Sequence, residues 1–114
     1  MKYKVELTSI AEADAYAAFQ YLRELAPKSA DIWLANLFQA IFSLEEMPNR
    51  CPLISEAEEL GAPIRHLLFG KDSGLYRILF DIQENSKEIS QVRVLRIWHG
   101  SRDKLTLKDI EEVD

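Results

Sequence analysis

The chain has 114 residues, of which 47% are hydrophobic and 29% charged, with only four Gly and four Pro. These values fit a single domain, residues 1–114, with a buried core, and they exclude disordered and fibrous classes. The single Cys, Cys51, excludes an internal disulfide and a thiolate zinc cage. No apolar stretch has the length of a signal core or a membrane span, so we expect a cytoplasmic protein that does not contact a membrane.

Charge is divided unevenly along the chain. The 14 Lys and Arg against 19 Asp and Glu give a net charge of -5, which argues against a general nucleic-acid binder. The segment 64–104 nevertheless carries eight Lys or Arg against five Asp or Glu, and most of these bases are Arg. Because arginine grips phosphate or carboxylate at two points, this segment is either a local anion site or the solvated, ion-paired face of a sheet.

The first predicted elements are a strand and a long helix. Residues 3–7 alternate apolar and charged side chains, which is typical of a half-buried strand. Ser9 and Glu12 have the spacing of a capping box, and the alanine-rich run 10–25 contains no Gly or Pro. We therefore expect a helix that Ser9 caps and that Pro27 ends.

A second helix and a loop are predicted next. Ser29 is the expected cap, and Pro48 is the expected stop. Apolar side chains recur at spacings of three and four and line one helix face: Trp33, Leu37, Ile41 and Leu44. The two helices should pair antiparallel. The segment 48–63, with its prolines and glutamates, predicts a loop with one helical turn.

Three strand patterns follow the loop. They cover residues 64–69, 75–82 and 91–99, which are rich in β-branched, aromatic and leucine residues. The polar turns GKDSG and QENSKE favour antiparallel hairpins, and a helical turn is expected after Thr106. The order β-α-α-β-β-β predicts an α+β fold, in which a small, mainly antiparallel four-stranded sheet carries the helical hairpin on one face.

Basic side chains on the three later strands form the candidate functional site. The candidate catalytic residues are Arg77, His99 and Arg102, and the candidate substrate-binding residues are Arg65, Arg93 and Arg96. An imidazole beside arginines can move a proton next to a phosphodiester while the guanidinium groups hold the developing charge. The alternative is that His99 only caps a strand end and that the arginines pair with acids. His66 is expected to be a buried or boundary residue.

Other kinds of site are excluded. Two isolated His and one Cys do not supply a transition-metal site, and GKDSG lacks the glycine spacing of a nucleotide-binding loop. We therefore expect neither a metal nor a cofactor.

Three segments together carry a family resemblance: MPNRCPLISEAEELGAPIRHLL, LYRILFDI and VRVLRIWHGSRD. The chain resembles, over nearly its whole length, the RelE/ParE superfamily of type II toxin–antitoxin toxins, also called plasmid stabilisation proteins. The family fold agrees with the predicted order. In RelE-like members two basic residues contact the scissile phosphate, and these positions match Arg77 and Arg102. Arg65 and His99 lie near further functional positions of some relatives.

The resemblance implies two activities. RelE-like members cut mRNA in the ribosomal A site without a metal, whereas ParE-like members bind and poison DNA gyrase. We expect a growth-arresting toxin that is neutralised by a cognate antitoxin. Ribosome-dependent mRNA cleavage is the first expected activity. The alternatives are gyrase inhibition and a degenerate member that only binds antitoxin. Leu67 replaces a lysine of the most basic members, and no Tyr follows Tyr76; a gyrase inhibitor would show both differences. The oligomeric state is left open.

Overall fold

The computed structural model describes residues 2–84, 90–102 and 104–110. The strands are β1 Lys4–Leu7, β2 Arg65–Phe69, β3 Tyr76–Glu84 and β4 Ser90–His99, and the helices are α1 Ser9–Leu25, α2 Pro27–Phe42, α3 Ala57–Leu60 and α4 Leu107–Ile110. This order confirms the predicted α+β fold. The predicted turn QENSKE falls mostly outside the described residues, as do residues 111–114 of the tail. None of the helices in the described segments is long and apolar enough to cross a bilayer.

The four strands form one sheet in the order β1-β4-β3-β2. β1 runs parallel to β4, and the other two pairings are antiparallel, which confirms a mainly antiparallel sheet. The register places Tyr76 opposite His99 and Arg77 opposite Trp98. One extra residue, Leu95, interrupts the pairing of β3 with β4 as a β-bulge. The bulge shifts the alternation of every β4 side chain that follows it.

The helical hairpin of α1 and α2 covers one face of the sheet. Ala11 and Ala15 are buried on α1, where their small side chains let the helices and the sheet approach closely. Leu37 and Ile41 of α2 are fully buried and pack with Phe80 of β3 in a single apolar cluster. The predicted apolar face of the second helix therefore packs against β3 in the core.

The opposite face of the sheet carries a second apolar cluster. Leu79 and Trp98 contribute to it from β3 and β4, and the loop before β2 supplies Ile54 and Ile64. Leu105, from the segment after β4, is buried against the same cluster. This second layer was not predicted from the sequence. Its consequence is that the loop and the C-terminal segment cover the sheet face on which Arg77 lies.

Two predicted helix caps are wrong. Thr8 caps α1, because its hydroxyl accepts the backbone N–H of Ala11 at 3.0 Å, and Ser9 is already the first helical residue. α2 begins at Pro27, two residues before the predicted cap Ser29, and its N-terminus has no side-chain hydrogen bond. A proline suits this position because its fixed φ fits the first turn and its missing N–H is not needed there.

Replacing Thr8 by Ala should lower the free energy of unfolding by about 1–2 kcal/mol. The Thr8 hydroxyl is buried, accepts the backbone N–H of Ala11 and donates to the carbonyl of Leu95 at 3.1 Å. The substitution therefore leaves this N–H and this carbonyl without their hydrogen-bond partner. Urea unfolding of Thr8→Ala measures the effect, and Thr8→Ser, which keeps the hydroxyl, is the control that should retain most of the stability. An equal loss from both substitutions would contradict a capping role of the Thr8 hydroxyl.

Candidate functional site

The guanidinium of Arg77 is bound by a carboxylate of the chain itself. Arg77 lies on the covered face of the sheet, and Glu56 reaches it from the loop that precedes α3. Nη2 donates to Oε2 at 3.1 Å and Nη1 donates to Oε1 at 3.4 Å, so both branches of the guanidinium face the carboxylate. The two side chains are only 18% and 4% exposed. The position at which a phosphate would bind Arg77 is therefore occupied by Glu56.

Glu56 also accepts hydrogen bonds from groups other than Arg77. Its Oε2 accepts the backbone N–H of Leu105 at 3.1 Å, and its Oε1 accepts the hydroxyl of Ser55 at 3.0 Å. The hydrogen bonds from Arg77 outweigh the effect of burial and lower the pKa of Glu56 from 4.5 to about 2. The carboxylate is thus ionised at neutral pH, and it ties the loop, β3 and the C-terminal segment together. The sequence did not predict whether this loop joins the functional site, because no local pattern distinguishes Glu56 from the neighbouring glutamates.

Arg93 and Arg65 are held at two further, separate places. Arg93 donates to Asp81, which lies directly opposite it on β3, with a distance of 2.9 Å between Nη2 and Oδ2. Arg65 instead donates to the backbone carbonyl of Cys51 at 2.6 Å, and so anchors the loop to β2. These two of the three predicted substrate-binding residues therefore have structural partners within the chain.

Arg96 bridges β4 and α1. Its Nε and Nη2 donate to the two carboxylate oxygens of Asp14 at 2.7 and 2.9 Å, and its Nη1 donates to the carbonyl of Asp109 at 2.8 Å. The same Asp14 also accepts the backbone N–H of Ile97 at 3.0 Å. β1 pairs only with residues 91–94, so this N–H lies beyond the end of β1, and Asp14 takes the place of a strand partner.

Arg102 is the predicted catalytic arginine that remains exposed. Its guanidinium lies 4.1 Å from the centroid of the Trp98 ring, a cation–π contact on the same sheet face as Arg77. It lines a shallow cavity of about 530 Å³ together with Lys104 and Asp109. Among the described residues that line it, the cavity thus combines two cations with one carboxylate that competes for them.

His99 lies on the other side of the sheet, towards the helical hairpin. Its ring meets the edge of Tyr76, with the two centroids 4.9 Å apart. Nδ1 accepts the backbone N–H of Ser101 at 3.1 Å, so Nε2 is the protonated nitrogen and donates to the carbonyl of Ser73 at 3.0 Å. His99 is therefore not brought together with Arg77 and Arg102, and both of its nitrogens hold the end of β4 in place.

His66 is the histidine that shares a face with Arg77. It pairs with Leu79 in the sheet register and so lies diagonally across from Arg77. Burial lowers the pKa of His66, and the charge of Arg77 lowers it further. Within the described part of the chain, its Nδ1 is buried and has no hydrogen-bond partner. His66 is therefore a neutral, half-buried residue at the boundary of the core, as expected from the sequence.

The match to a known family agrees with this architecture. The family model of the ParE toxin of type II toxin–antitoxin systems (parDE) matches residues 5–104. The chain is therefore the toxin component of such a system and belongs to the ParE toxin family. No curated protein matches the chain. The family confirms the resemblance seen in the sequence and implies a cognate antitoxin as partner.

Proposed function

We propose that this toxin acts by binding and inhibiting DNA gyrase, and not by cleaving mRNA. The observation that carries the proposal is the ion pair between Arg77 and Glu56, whose side chains are 18% and 4% exposed. It removes from solvent the arginine that an RNA-cleaving relative would use to hold the scissile phosphate. The family description, which names ParE and not an endonuclease, supports the same activity.

The energetic argument concerns what a phosphate would have to displace. Separating Arg77 from Glu56 leaves a buried carboxylate without its counter-ion, at a cost of about 3–5 kcal/mol. Cleavage also needs a proton acceptor within hydrogen-bond reach of the ribose hydroxyl and beside the arginines. His99 is separated from Arg77 and Arg102 by the sheet, and both of its nitrogens are engaged. A net charge of -5 further weakens attraction to an RNA backbone.

One observation favours mRNA cleavage as the second candidate function. Arg102 is exposed and stacked on Trp98, on the face that also bears Arg77 and His66. A nuclease built on this face would use Arg102 to bind the phosphate, so the Arg102→Ala variant distinguishes the two candidates.

The test measures both activities with the same protein. We expect the purified toxin to inhibit supercoiling of relaxed plasmid by gyrase, and ribosome-bound transcripts to stay intact after induction without antitoxin. Because Arg102 is exposed, Arg102→Ala should stay folded and keep growth arrest within about twofold of wild type. Cleaved transcripts that disappear in Arg102→Ala would instead establish the nuclease. The absence of any growth effect would favour a degenerate member that only binds antitoxin.

A further inference from the structure

A serine hydroxyl and a histidine ring are in direct contact in the turn that follows β4. The Oγ of Ser101 lies 2.6 Å from Nδ1 of His99. Because Nε2 of His99 donates to the carbonyl of Ser73, Nδ1 carries no proton, and the Ser101 hydroxyl donates to it. The Ser73 carbonyl thus fixes the tautomer and the orientation of the imidazole, which is the arrangement that activates a serine beside a histidine. Ser101 is exposed, so an electrophile can reach its hydroxyl.

The turn that holds this pair is fixed by backbone contacts on both sides. The N–H of Gly100 donates to the carbonyl of Leu75 at 2.8 Å, and the N–H of Arg102 donates to the carbonyl of His99 at 3.0 Å. Gly100 passes so close to the residue before β3 that a Cβ at this position would lie 3.1 Å from the carbonyl oxygen of Leu75. The contact between Ser101 and His99 is therefore set by the end of the sheet, before any ligand binds.

Ser101 connects the histidine to a pair of cations. Among the described residues, it is the one that lines both the cavity of about 530 Å³ with Arg102 and Lys104 and a neighbouring cavity of about 400 Å³ with His99. Lys104 pairs with Glu59, but these side chains are 63% and 65% exposed, so an incoming anion can replace the carboxylate at little cost. An anion in the larger cavity therefore meets the hydroxyl and both cations together.

The surroundings of Ser101 favour a small phosphoryl donor as the electrophile. A phosphoryl group keeps negative charge on its oxygens throughout its transfer, and cations beside the nucleophile stabilise that charge. The indole of Trp98 in the same cavity is already contacted by two guanidinium groups, with Arg102 at 4.1 Å and Arg96 at 5.0 Å from the ring centroid. A nucleobase would have to displace one of them to stack on the ring, whereas a small donor leaves both in place.

We propose that Ser101 accepts a phosphoryl group from a small acyl phosphate. The Oγ of Ser101 forms a bond to phosphorus while Nδ1 of His99 takes the proton of the hydroxyl. The bond from phosphorus to the acyl oxygen breaks, and the carboxylate leaves with the electron pair of that bond. The product is a phosphoserine whose oxygens pair with Arg102 and Lys104. This reaction goes beyond gyrase inhibition and does not depend on the target of the toxin.

Incubation of the full-length chain with acetyl phosphate, followed by mass spectrometry of its peptides, tests the proposal. We expect one phosphoryl group per chain, on Ser101. Its rate of transfer should fall at least about a hundredfold in His99→Gln, because an amide cannot take the proton. The rate should fall about tenfold in Arg102→Gln and in Lys104→Gln. Lys108→Gln is the matched control, since it makes the same charge change on the exposed side of α4 and should react at the wild-type rate.

The two cation variants change exposed residues and should fold, so they carry the test alone if His99→Gln is unfolded. Four results would overturn the proposal. They are an unmodified Ser101, equal modification of exposed serines such as Ser29, a wild-type rate in every folded variant of the site, and acetylation of Lys104 in place of phosphorylation. The gyrase assay on wild type contains no acyl phosphate, so a failure of the proposed function is distinguishable from a failure here.

Discussion

Replacing Glu56 by Gln is expected to lower the free energy of unfolding by about 3 kcal/mol, a large share of the stability of a small domain. The substitution keeps the shape of the side chain but leaves the Arg77 guanidinium, only 18% exposed, without its counter-ion. It also weakens the acceptor that holds the backbone N–H of Leu105. Urea unfolding at pH 7 measures the loss.

The same carboxylate should make stability depend on pH. The pKa of Glu56 is about 2 in the folded protein against an ordinary value of 4.5. Its contribution of about 3 kcal/mol is therefore fully present above pH 4.5 and is lost as the pH falls towards 2. The unfolding free energy of wild type should drop across this window. Glu56→Gln should lack this part of the drop, because it has no carboxyl group to protonate.

Two further variants isolate the ion pair from a general effect of charge. Glu58→Gln removes the same charge from an exposed position of α3 and should change stability by less than about 0.5 kcal/mol. Arg77→Met combined with Glu56→Gln removes both charges, and the double variant should be more stable than the sum of the single losses predicts. Strictly additive losses would contradict a direct pairing of these side chains.

The parts of the fold that were predicted from the sequence depend on local patterns. The alternation of residues 3–7 and the spacing of Leu37 and Ile41 identify which faces are apolar wherever the elements pack. Helix caps were predicted less well. Thr8 and Ser9 are adjacent hydroxyl residues, and which of them caps α1 depends on where β1 ends. That end point is set by pairing with β4, a contact across more than 80 residues.

The candidate site was predicted less completely, because its partners are distant in sequence. Glu56 is 21 residues from Arg77, and Asp14 is 82 residues from Arg96, so no local pattern connects them. The bulge at Leu95 has a second effect. Arg93 and Arg96 are three apart and would lie on opposite faces of a regular strand, but the extra residue places them opposite Asp81 and Leu79 on one face. In the sequence the alternation of apolar and basic residues changes phase at Leu95, which directly follows Val94, and this break is the local sign of the bulge.

Asp14→Asn is expected to cause the second large loss of stability, a decrease of about 2 kcal/mol in the free energy of unfolding. Asp14 accepts two hydrogen bonds from Arg96 and one from the backbone of Ile97, and both side chains of the ion pair are about 14% exposed or less. An amide keeps one acceptor oxygen, so it cannot accept from both guanidinium nitrogens and the backbone N–H. It also presents a donor to Arg96, which has only donors.

The effect of Asp14→Asn should be visible in hydrogen exchange at single amides as well as in the free energy of unfolding. Because Asp14 takes the place of a strand partner at the edge of β4, Asp14→Asn should speed hydrogen exchange at the amide of Ile97 more than at Val94, which remains paired with Leu7. Glu24→Gln is the control on the same helix, since Glu24 is exposed and its loss should have little effect. Equal changes in exchange at Ile97 and Val94 would mean that Asp14 stabilises α1 generally. A selective change at Ile97 would mean that the carboxylate closes the sheet edge which β1 is too short to cover.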